Sequence, residues 1–325
     1  MDNNSKNSDV LIHGIDIVKW QNLTWVDIKQ PNQETMQWVA QHYSFHPLNI
    51  DDCLSKVHSP KIDDYENYIF IILHFPVFDK SQRITIPSQV SIFLGRDFLV
   101  SVHSGNLKPL NNLPQTCRSD DRICSDYLGK DSCYLLYQIL DDLVDYCFPI
   151  VDGSLSSLDK IGDKLNDAKS DASQDVTILR RDIAAQRRII RMVREVMNGL
   201  SPKLRPYTQI DLKVYFDDIN DHLDHLWNDI EECHETIEIY KDNYSLLRQE
   251  RINRIMAVLT ILFTISLPAT VLSTYFGMHV NIPWGTENGG WVGPLGTYTS
   301  FIVLVLVSVL LALIMFIFFR RRRWL

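Results

Sequence analysis

The chain has 325 residues, of which 46% are hydrophobic and 22% charged, and its formal net charge is -8. No long basic run occurs before the C-terminus, so nucleic acid is not an expected partner, because phosphate binding needs clustered Lys and Arg. The sequence also lacks a G-x-x-x-x-G-K-[ST] loop, a G-x-S-x-G elbow and an H-E-x-x-H motif. We therefore predict neither catalysis nor a bound cofactor.

The N-terminal residues 1–10 are polar and rich in Asn and Ser. They lack the apolar core of a secretory signal, so they are predicted to form a disordered tail. Six cysteines show neither C-x-x-C nor zinc-finger spacing, which predicts reduced, buried thiols in a cytoplasmic domain. They are Cys53, Cys117, Cys124, Cys133, Cys147 and Cys233.

Residues 11–130 alternate β-rich runs with short helical stretches. This pattern predicts a cytoplasmic α+β domain built on a mostly antiparallel sheet. Gly95 and Asp97 bound a predicted tight turn between the last two strands. The predicted strands are 68–78, 84–95 and 97–103, and the predicted helices are 35–43 and 49–55.

Helices are predicted for most of the remaining chain. Apolar residues recur at helical spacing over 131–209, which predicts a cytoplasmic helical hairpin region that is interrupted at 198–202 by Asn, Gly and Pro. No Gly or Pro occurs between Tyr207 and Leu267. A long stalk helix is therefore predicted over 210–275, and it continues into the first of two membrane spans.

The two apolar segments 255–275 and 298–319 are each long enough to cross a bilayer, which takes about 20 helical residues. The first segment contains several Thr and Ser residues and Pro268, which predicts a face lined by protein or water. The second is more uniformly apolar and is predicted to face lipid.

Basic residues predict the orientation of these spans. Arginines precede the first span and fill the tail 320–325, whereas the loop 276–297 contains no Lys or Arg. Short basic loops stay in the cytoplasm, so both termini are predicted to be cytoplasmic and the loop external. This topology is typical of a multi-pass protein of a cell's inner membrane. A plain two-span anchor is the alternative.

Polar and apolar residues share one face of the predicted first span, because they follow one another at intervals of three or four. The face has polar groups near its ends and bulky apolar groups between them. A ring of such helices would form a hydrophobic gate flanked by polar rings. The alternative is a stripe that packs against other helices. The polar residues are Asn253 and Thr270, and the gate residues are Met256, Leu259, Phe263 and Leu267.

Acidic residues and histidines are dense at the start of the predicted stalk. Asp218 and His222 are four residues apart, as are Asp221 and His225, so each pair lies on one helix face. This pattern predicts a surface that binds cations, with Asp218, Asp221 and His222 as the candidate ligands. A solvated helix face is the alternative.

Five segments, the last two overlapping, carry a resemblance to a known family: HPLNIDDCL (46–54), PKIDDYENYIFIILHFP (60–76), QVSIFLGRDFLVSVH (89–103), NRIMAVLTILFTISLPATVLSTYFGM (253–278) and TYFGMHVNIPW (274–284). In this order they resemble the landmarks of the CorA family, the two-span G-M-N transporters of divalent cations. The resemblance implies a homopentameric channel in the membrane that passes magnesium, cobalt or nickel inward down the electrochemical gradient. It also implies that intracellular cations hold the pore shut at a site that contains Asp218.

One position departs from the family pattern. His279 follows Gly277 and Met278 where the family has Asn, and the resemblance places these three residues at the selective outer mouth of the pore. A neutral imidazole suits zinc, nickel or copper better than magnesium. A ZntB-like zinc transporter, with or without proton coupling, is therefore one alternative. A non-conducting, membrane-anchored regulatory protein is another.

Overall fold

The computed structural model describes residues 14–55, 59–166, 172–277 and 299–321. The predicted tail 1–10 lies outside the described residues, as do most of the predicted loop 276–297 and most of the basic tail 320–325. The chain divides into two compact units, Met1–Lys241 and Asp242–Leu325. The predicted α+β domain and helical hairpin region thus belong to one unit.

A six-stranded sheet lies at the centre of the first unit. Its spatial order is β1-β2-β6-β5-β4-β3, and in it β2 and β6 pair parallel while the other neighbours pair antiparallel. The predicted mostly antiparallel sheet is therefore confirmed. The strands are β1 (Ile15–Trp20), β2 (Leu23–Lys29), β3 (Lys61–Asp64), β4 (Ile69–Asp79), β5 (Ile84–Leu94) and β6 (Phe98–His103).

Both faces of the sheet are covered, because alternate residues of β4 enter different cores. Ile71 and Leu73 belong to the larger core, whereas Phe70 and Ile72 belong to the smaller one. A strand buried on both faces has a continuous apolar sequence, which is the pattern that predicted β4. Helices α1 (Gln33–His42) and α2 (Pro47–Leu54) contribute to the smaller core.

Five helices cover the opposite face, and the larger core consists of residues from this face, from the five helices and from the stretch 216–237 of the following helix. One of them differs from the prediction, since α7 runs without interruption through 198–202 and the predicted break there is wrong. Pro202 is the third residue from the end of α7, and because it has no N–H to donate to the carbonyl four residues earlier, the helix lacks one hydrogen bond in its last turn. The five helices are α3 (Lys108–Ser119), α4 (Asp121–Leu128), α5 (Ser132–Asp145), α6 (Phe148–Asn166) and α7 (Ser173–Leu204).

The turn between β5 and β6 requires glycine for a steric reason. The Gly95 N–H donates to the Phe98 carbonyl at 2.9 Å, which closes the predicted turn. A Cβ atom added to Gly95 would lie 2.3 Å from the nearest atom of the Phe98 ring. Any larger residue would therefore displace this ring from the smaller core, against which it packs.

A fully buried polar network joins β2 to β6. Trp25 Nε1 donates to Ser101 Oγ at 2.9 Å, and Ser101 Oγ donates to Asp27 Oδ1 at 2.6 Å. Gly105 N–H donates to Nδ1 of His103, so Nε2 carries the ring proton and faces Asp27 Oδ2 at 3.3 Å. Ser101 thus donates to the carboxylate rather than to the imidazole, and the network satisfies buried polar groups instead of activating a nucleophile.

Two more helices complete the described chain. Helix α8 (Lys213–Gly277) is 65 residues long and contains Pro268, and α9 is Thr299–Arg321. The corresponding predictions were a stalk over 210–275 and a second span over 298–319. In the described part of the chain, α8 is long and apolar enough to cross a membrane, and Val305–Phe319 is a shorter apolar stretch.

Candidate functional site

Helices α5 and α8 bring three possible cation ligands together. One ligand atom each from Asp141, Asp218 and His222 lies within 4.8 Å of the other two. Asp218 and His222 were predicted from their spacing on the stalk, whereas Asp141 was not. Carboxylate and imidazole groups at this separation can bind one divalent cation.

The surroundings of this cluster favour a bound positive charge. Asp141 Oδ1 is buried and has no hydrogen-bond partner among the described residues. Burial raises the pKa of the Asp141 carboxyl, and nearby Asp145 raises it further, while His222 acts in the opposite direction. His222 Nδ1 also lies 3.5 Å from Asp145 Oδ1. A cation would relieve the repulsion between these carboxylates and supply the missing partner.

The third predicted ligand is not part of the cluster. Asp221 lies on α8 between Asp218 and His222 in sequence, but its side chain is exposed and outside the group of three. His225, its predicted neighbour, instead pairs through Nδ1 with Asp229 Oδ2 at 3.1 Å. The structure therefore groups Asp218 and His222 with Asp141.

Several other acids on α8 pair with arginines on α7. Arg187 Nε donates to Glu231 Oε1 at 2.6 Å, and equivalent pairs form seven residues away in each direction along α7. The Trp227 ring lies 5.7 Å from the guanidinium of Arg187 and 5.2 Å from that of Arg194. This arrangement neutralises three of the acids on α8. The three pairs are Arg180–Glu238, Arg187–Glu231 and Arg194–Asp224.

The second unit contains the predicted gate residues. Their side chains are between 43% and 69% exposed in the single chain, but residues off the stripe such as Leu262 and Val271 are equally exposed. An apolar surface of this extent needs a covering of lipid or of other subunits. The whole apolar segment is exposed in the single chain, so exposure does not distinguish the stripe from the other faces of the helix. The stripe comprises Met256, Leu259, Phe263 and Leu267.

Hydroxyl groups in the same segment bond to their own helix. Thr260 Oγ1 donates to the Met256 carbonyl at 2.7 Å, and Thr270 Oγ1 donates to the Ser266 carbonyl at 2.9 Å. Because such bonds satisfy the hydroxyl protons, these residues do not require the protein-lined or water-lined face that their polarity predicted. The oxygen of Thr270 still has lone pairs available for a cation.

The structure describes some of the residues that were predicted to lie at the two ends of the stripe. Asn253 Oδ1 accepts a hydrogen bond from Gln249 Nε2 at 3.0 Å. Gly277 is the last residue of α8 and its φ lies outside the left-handed region, so it does not end the helix in the conformation that glycine favours. Met278 and His279 lie outside the described residues.

The chain thus combines a mixed sheet with a helix that is long and apolar enough to cross a membrane. A family model described as "CorA-like Mg2+ transporter protein" matches residues 20–321. The chain belongs to this family, and the predicted resemblance is confirmed.

Relatives and solved structures agree with this assignment. The Bacillus subtilis protein YfjQ is 30% identical over 87% of each chain. The cobalt/magnesium transport protein CorA of Thermotoga maritima is 26% identical over 93% of this chain and 83% of its own. The fold matches the CorA magnesium transporter of Methanocaldococcus jannaschii with a TM-score of 0.77 at 20% identity, covering 95% and 94% of the two chains. It matches full-length CmaX with a TM-score of 0.71 at 19% identity, covering 93% and 89%.

Proposed function

We propose that the protein conducts divalent cations, magnesium foremost and also cobalt and nickel, inward across the cell's inner membrane. The observation that carries this proposal is that one helix, α8, bears both Asp218 and His222 of the cation cluster and the long apolar segment. Such a helix can transmit a change at the cluster to a pore. Family membership supports the same function.

The membrane potential can drive this transport without ATP. Moving one charge through 100 mV is worth about 2.3 kcal/mol, so a divalent ion gains about twice that. No charged side chain lies between Met256 and Gly277, so selectivity rests on dipoles, hydration and pore geometry. Magnesium sheds water reluctantly, which favours passage with much of its hydration shell in place.

The proposed assembly is a homopentamer whose α8 helices surround one pore. A single chain with two spans encloses no channel, and the exposed apolar surface of α8 supports burial against other copies. In this arrangement Met256, Leu259, Phe263 and Leu267 form the gate, and Asn253 and Thr270 form polar rings. Native mass spectrometry should give five times the chain mass of 37.7 kDa. A monomer or dimer would contradict the shared pore.

The proposed topology has two spans and two cytoplasmic termini. The arginines that flank the spans and the absence of Lys and Arg in the loop 276–297 support it. Cysteine scanning with a membrane-impermeant maleimide tests this orientation in intact cells, on a variant in which the native cysteines are replaced. A cysteine introduced in the loop should be labelled from outside, whereas one introduced in the tail 320–325 should not.

The gate is tested by two neighbouring substitutions. Phe263→Ser, on the stripe, should change magnesium flux into liposomes several-fold, because a hydroxyl hydrates the constriction. Leu262→Ser, one residue away and equally exposed in the single chain, is the matched control and should retain the native flux. Equal effects of the two substitutions would support a packing stripe instead.

A second candidate function is zinc transport, which His279 favours because nitrogen ligands suit zinc. Uptake of magnesium, cobalt, nickel and zinc into liposomes, with and without a pH gradient, separates the two functions. A zinc preference that is lost in His279→Asn would assign selectivity to this residue. Magnesium flux that is unchanged by the substitution would support the first proposal. No flux of any ion would leave a non-conducting regulatory protein.

A further inference from the structure

Two cysteines contact each other at the corner between α3 and α4. Cys117 lies in the last turn of α3 and Cys124 near the start of α4. Each of these thiols affects the pKa of the other, which identifies them as neighbours in the larger core, and both residues are buried, at 2% and 3% exposure. Neighbouring cysteines can form a disulfide when their sulfurs approach to the covalent S–S length of about 2.05 Å.

Two other cysteines of the same core face oxygen instead of sulfur. Cys133 Sγ donates to the Leu204 carbonyl at 3.9 Å, and Cys147 Sγ donates to the Leu143 carbonyl at 3.2 Å. These thiols are equally buried but lack a sulfur partner in the described contacts. They provide an internal comparison for the reactivity of Cys117 and Cys124.

The corner offers reagents a route to the buried pair. Residues 118–122 are all exposed, and Asp120 both ends α3 and caps α4 by accepting from the Arg122 N–H at 2.8 Å. Helix α4 has only eight residues, so its opening costs little compared with global unfolding. Opening of this helix would expose Cys124 first.

We propose that Cys117 and Cys124 are a dithiol modification site that a small-molecule disulfide, such as oxidised glutathione, converts to an intramolecular disulfide. The Cys124 thiolate attacks one sulfur of glutathione disulfide and releases one glutathione thiolate. The Cys117 thiolate then attacks the Cys124 sulfur of this mixed disulfide and releases the second. Each cysteine loses one proton to solvent, each glutathione thiolate gains one, and the two cysteines are oxidised as one glutathione disulfide is reduced.

The rate of this reaction should depend on pH. Burial raises the pKa of both thiols, that of Cys117 to about 12. Only the thiolate attacks, so below the pKa of the attacking thiol each pH unit should accelerate the reaction about tenfold. The second step is intramolecular and gains from the high effective concentration of the neighbouring thiol. The mixed disulfide should therefore not accumulate.

The proposal is independent of the transport activity and is tested on the full-length protein in detergent. The folded protein is incubated with oxidised glutathione at pH 8, then denatured, alkylated with iodoacetamide and digested with trypsin without reduction. Trypsin cleaves after Arg118 and Arg122, so the disulfide joins peptide 97–118 to peptide 123–130. Cys133 and Cys147 share peptide 131–160, which reports on the comparison thiols.

The joined peptides should account for more than half of Cys124 and should disappear on reduction, while peptide 131–160 stays alkylated at both cysteines. In Cys117→Ser, Cys124 should instead retain glutathione, and Cys133→Ser is the matched control that keeps the joined peptides. The wild-type measurement alone overturns the proposal if Cys124 remains alkylated. A disulfide from Cys124 to other cysteines as often as to Cys117 would also overturn it.

Discussion

Asp141 on α5 and Asp218 on α8 each place a carboxylate oxygen within 4.8 Å of the other, although the two residues are remote in sequence. Like charges this close repel each other unless a proton or a cation lies between them. Asp145 adds negative charge nearby, and His222 supplies a nitrogen ligand. A divalent cation bound by this cluster would therefore couple the packing of α5 on α8 to the cation concentration.

Magnesium should stabilise the wild-type protein through this cluster. A ligand that binds only the folded state adds about 2.7 kcal/mol at one hundred times its Kd. The melting temperature in detergent should rise as millimolar magnesium is added, and Asp218→Asn or Asp141→Asn should abolish most of this rise. Asp221→Asn, on the same helix but outside the cluster, should retain it. A full magnesium response in Asp141→Asn would show that the ion binds elsewhere.

The cluster should also give a pH dependence that Asp141→Asn removes. Because the pKa of Asp141 is raised in the folded protein, the native state binds more protons than the unfolded state between the unfolded pKa, about 3.9, and the raised value. Without divalent cations, stability should therefore fall as pH rises through this window. Asp141→Asn should be more stable than wild type at pH 7. Denaturant titrations from pH 4 to 7 check this, and parallel curves for the two proteins would contradict it.

The arginine pairs should stabilise the packing of α7 on α8 modestly. Arg187→Ala loses a partly exposed ion pair to Glu231 and the cation–π contact to Trp227, so we expect a loss of about 1 kcal/mol. The double reversal Arg187→Glu with Glu231→Arg should recover part of the loss caused by either reversal alone. Arg191→Ala, which breaks an exposed pair to Glu195 on α7 itself, is the control and should cost less than about 0.5 kcal/mol.

Sequence patterns predicted the parts of the fold in which local signals agree with tertiary packing. The continuous apolar run of β4 and the glycine turn at Gly95 identified the centre of the sheet. The strands β1 and β2 were not predicted, because they mix polar and apolar residues. Their place in the sheet depends on the pairing of β2 with β6, which is remote in sequence. The break predicted at 198–202 was wrong because tertiary packing outweighs the weak helix preference of this segment.

Two of the three residues in the candidate cation cluster were predicted, and the third was not, for a similar reason. Asp218 and His222 share a helix face, and their spacing shows this directly. Asp141 lies on another helix, so no local pattern connects it with them. Conversely, the density of acids on the stalk predicted too large a cation-binding surface. Three of these acids pair with arginines on α7, which the stalk sequence does not show. Their spacing of seven residues, which matches that of the acids, is the signal that a pairwise comparison of the two helices would have found.

The buried network between β2 and β6 predicts a large loss of stability when a single hydroxyl group is removed. Ser101→Ala removes the acceptor of the Trp25 indole N–H and one donor to Asp27, and leaves both groups fully buried. An unsatisfied buried polar group costs about 1–3 kcal/mol, so the loss should exceed that of any single arginine pair. Thermal and denaturant unfolding measure this loss. Ser119→Ala, which removes an exposed hydroxyl at the end of α3, is the matched control and should lie within about 0.5 kcal/mol of wild type. A loss for Ser101→Ala no larger than that of the control would mean that water replaces the serine hydroxyl, and that this part of the sheet is less tightly closed than its burial indicates.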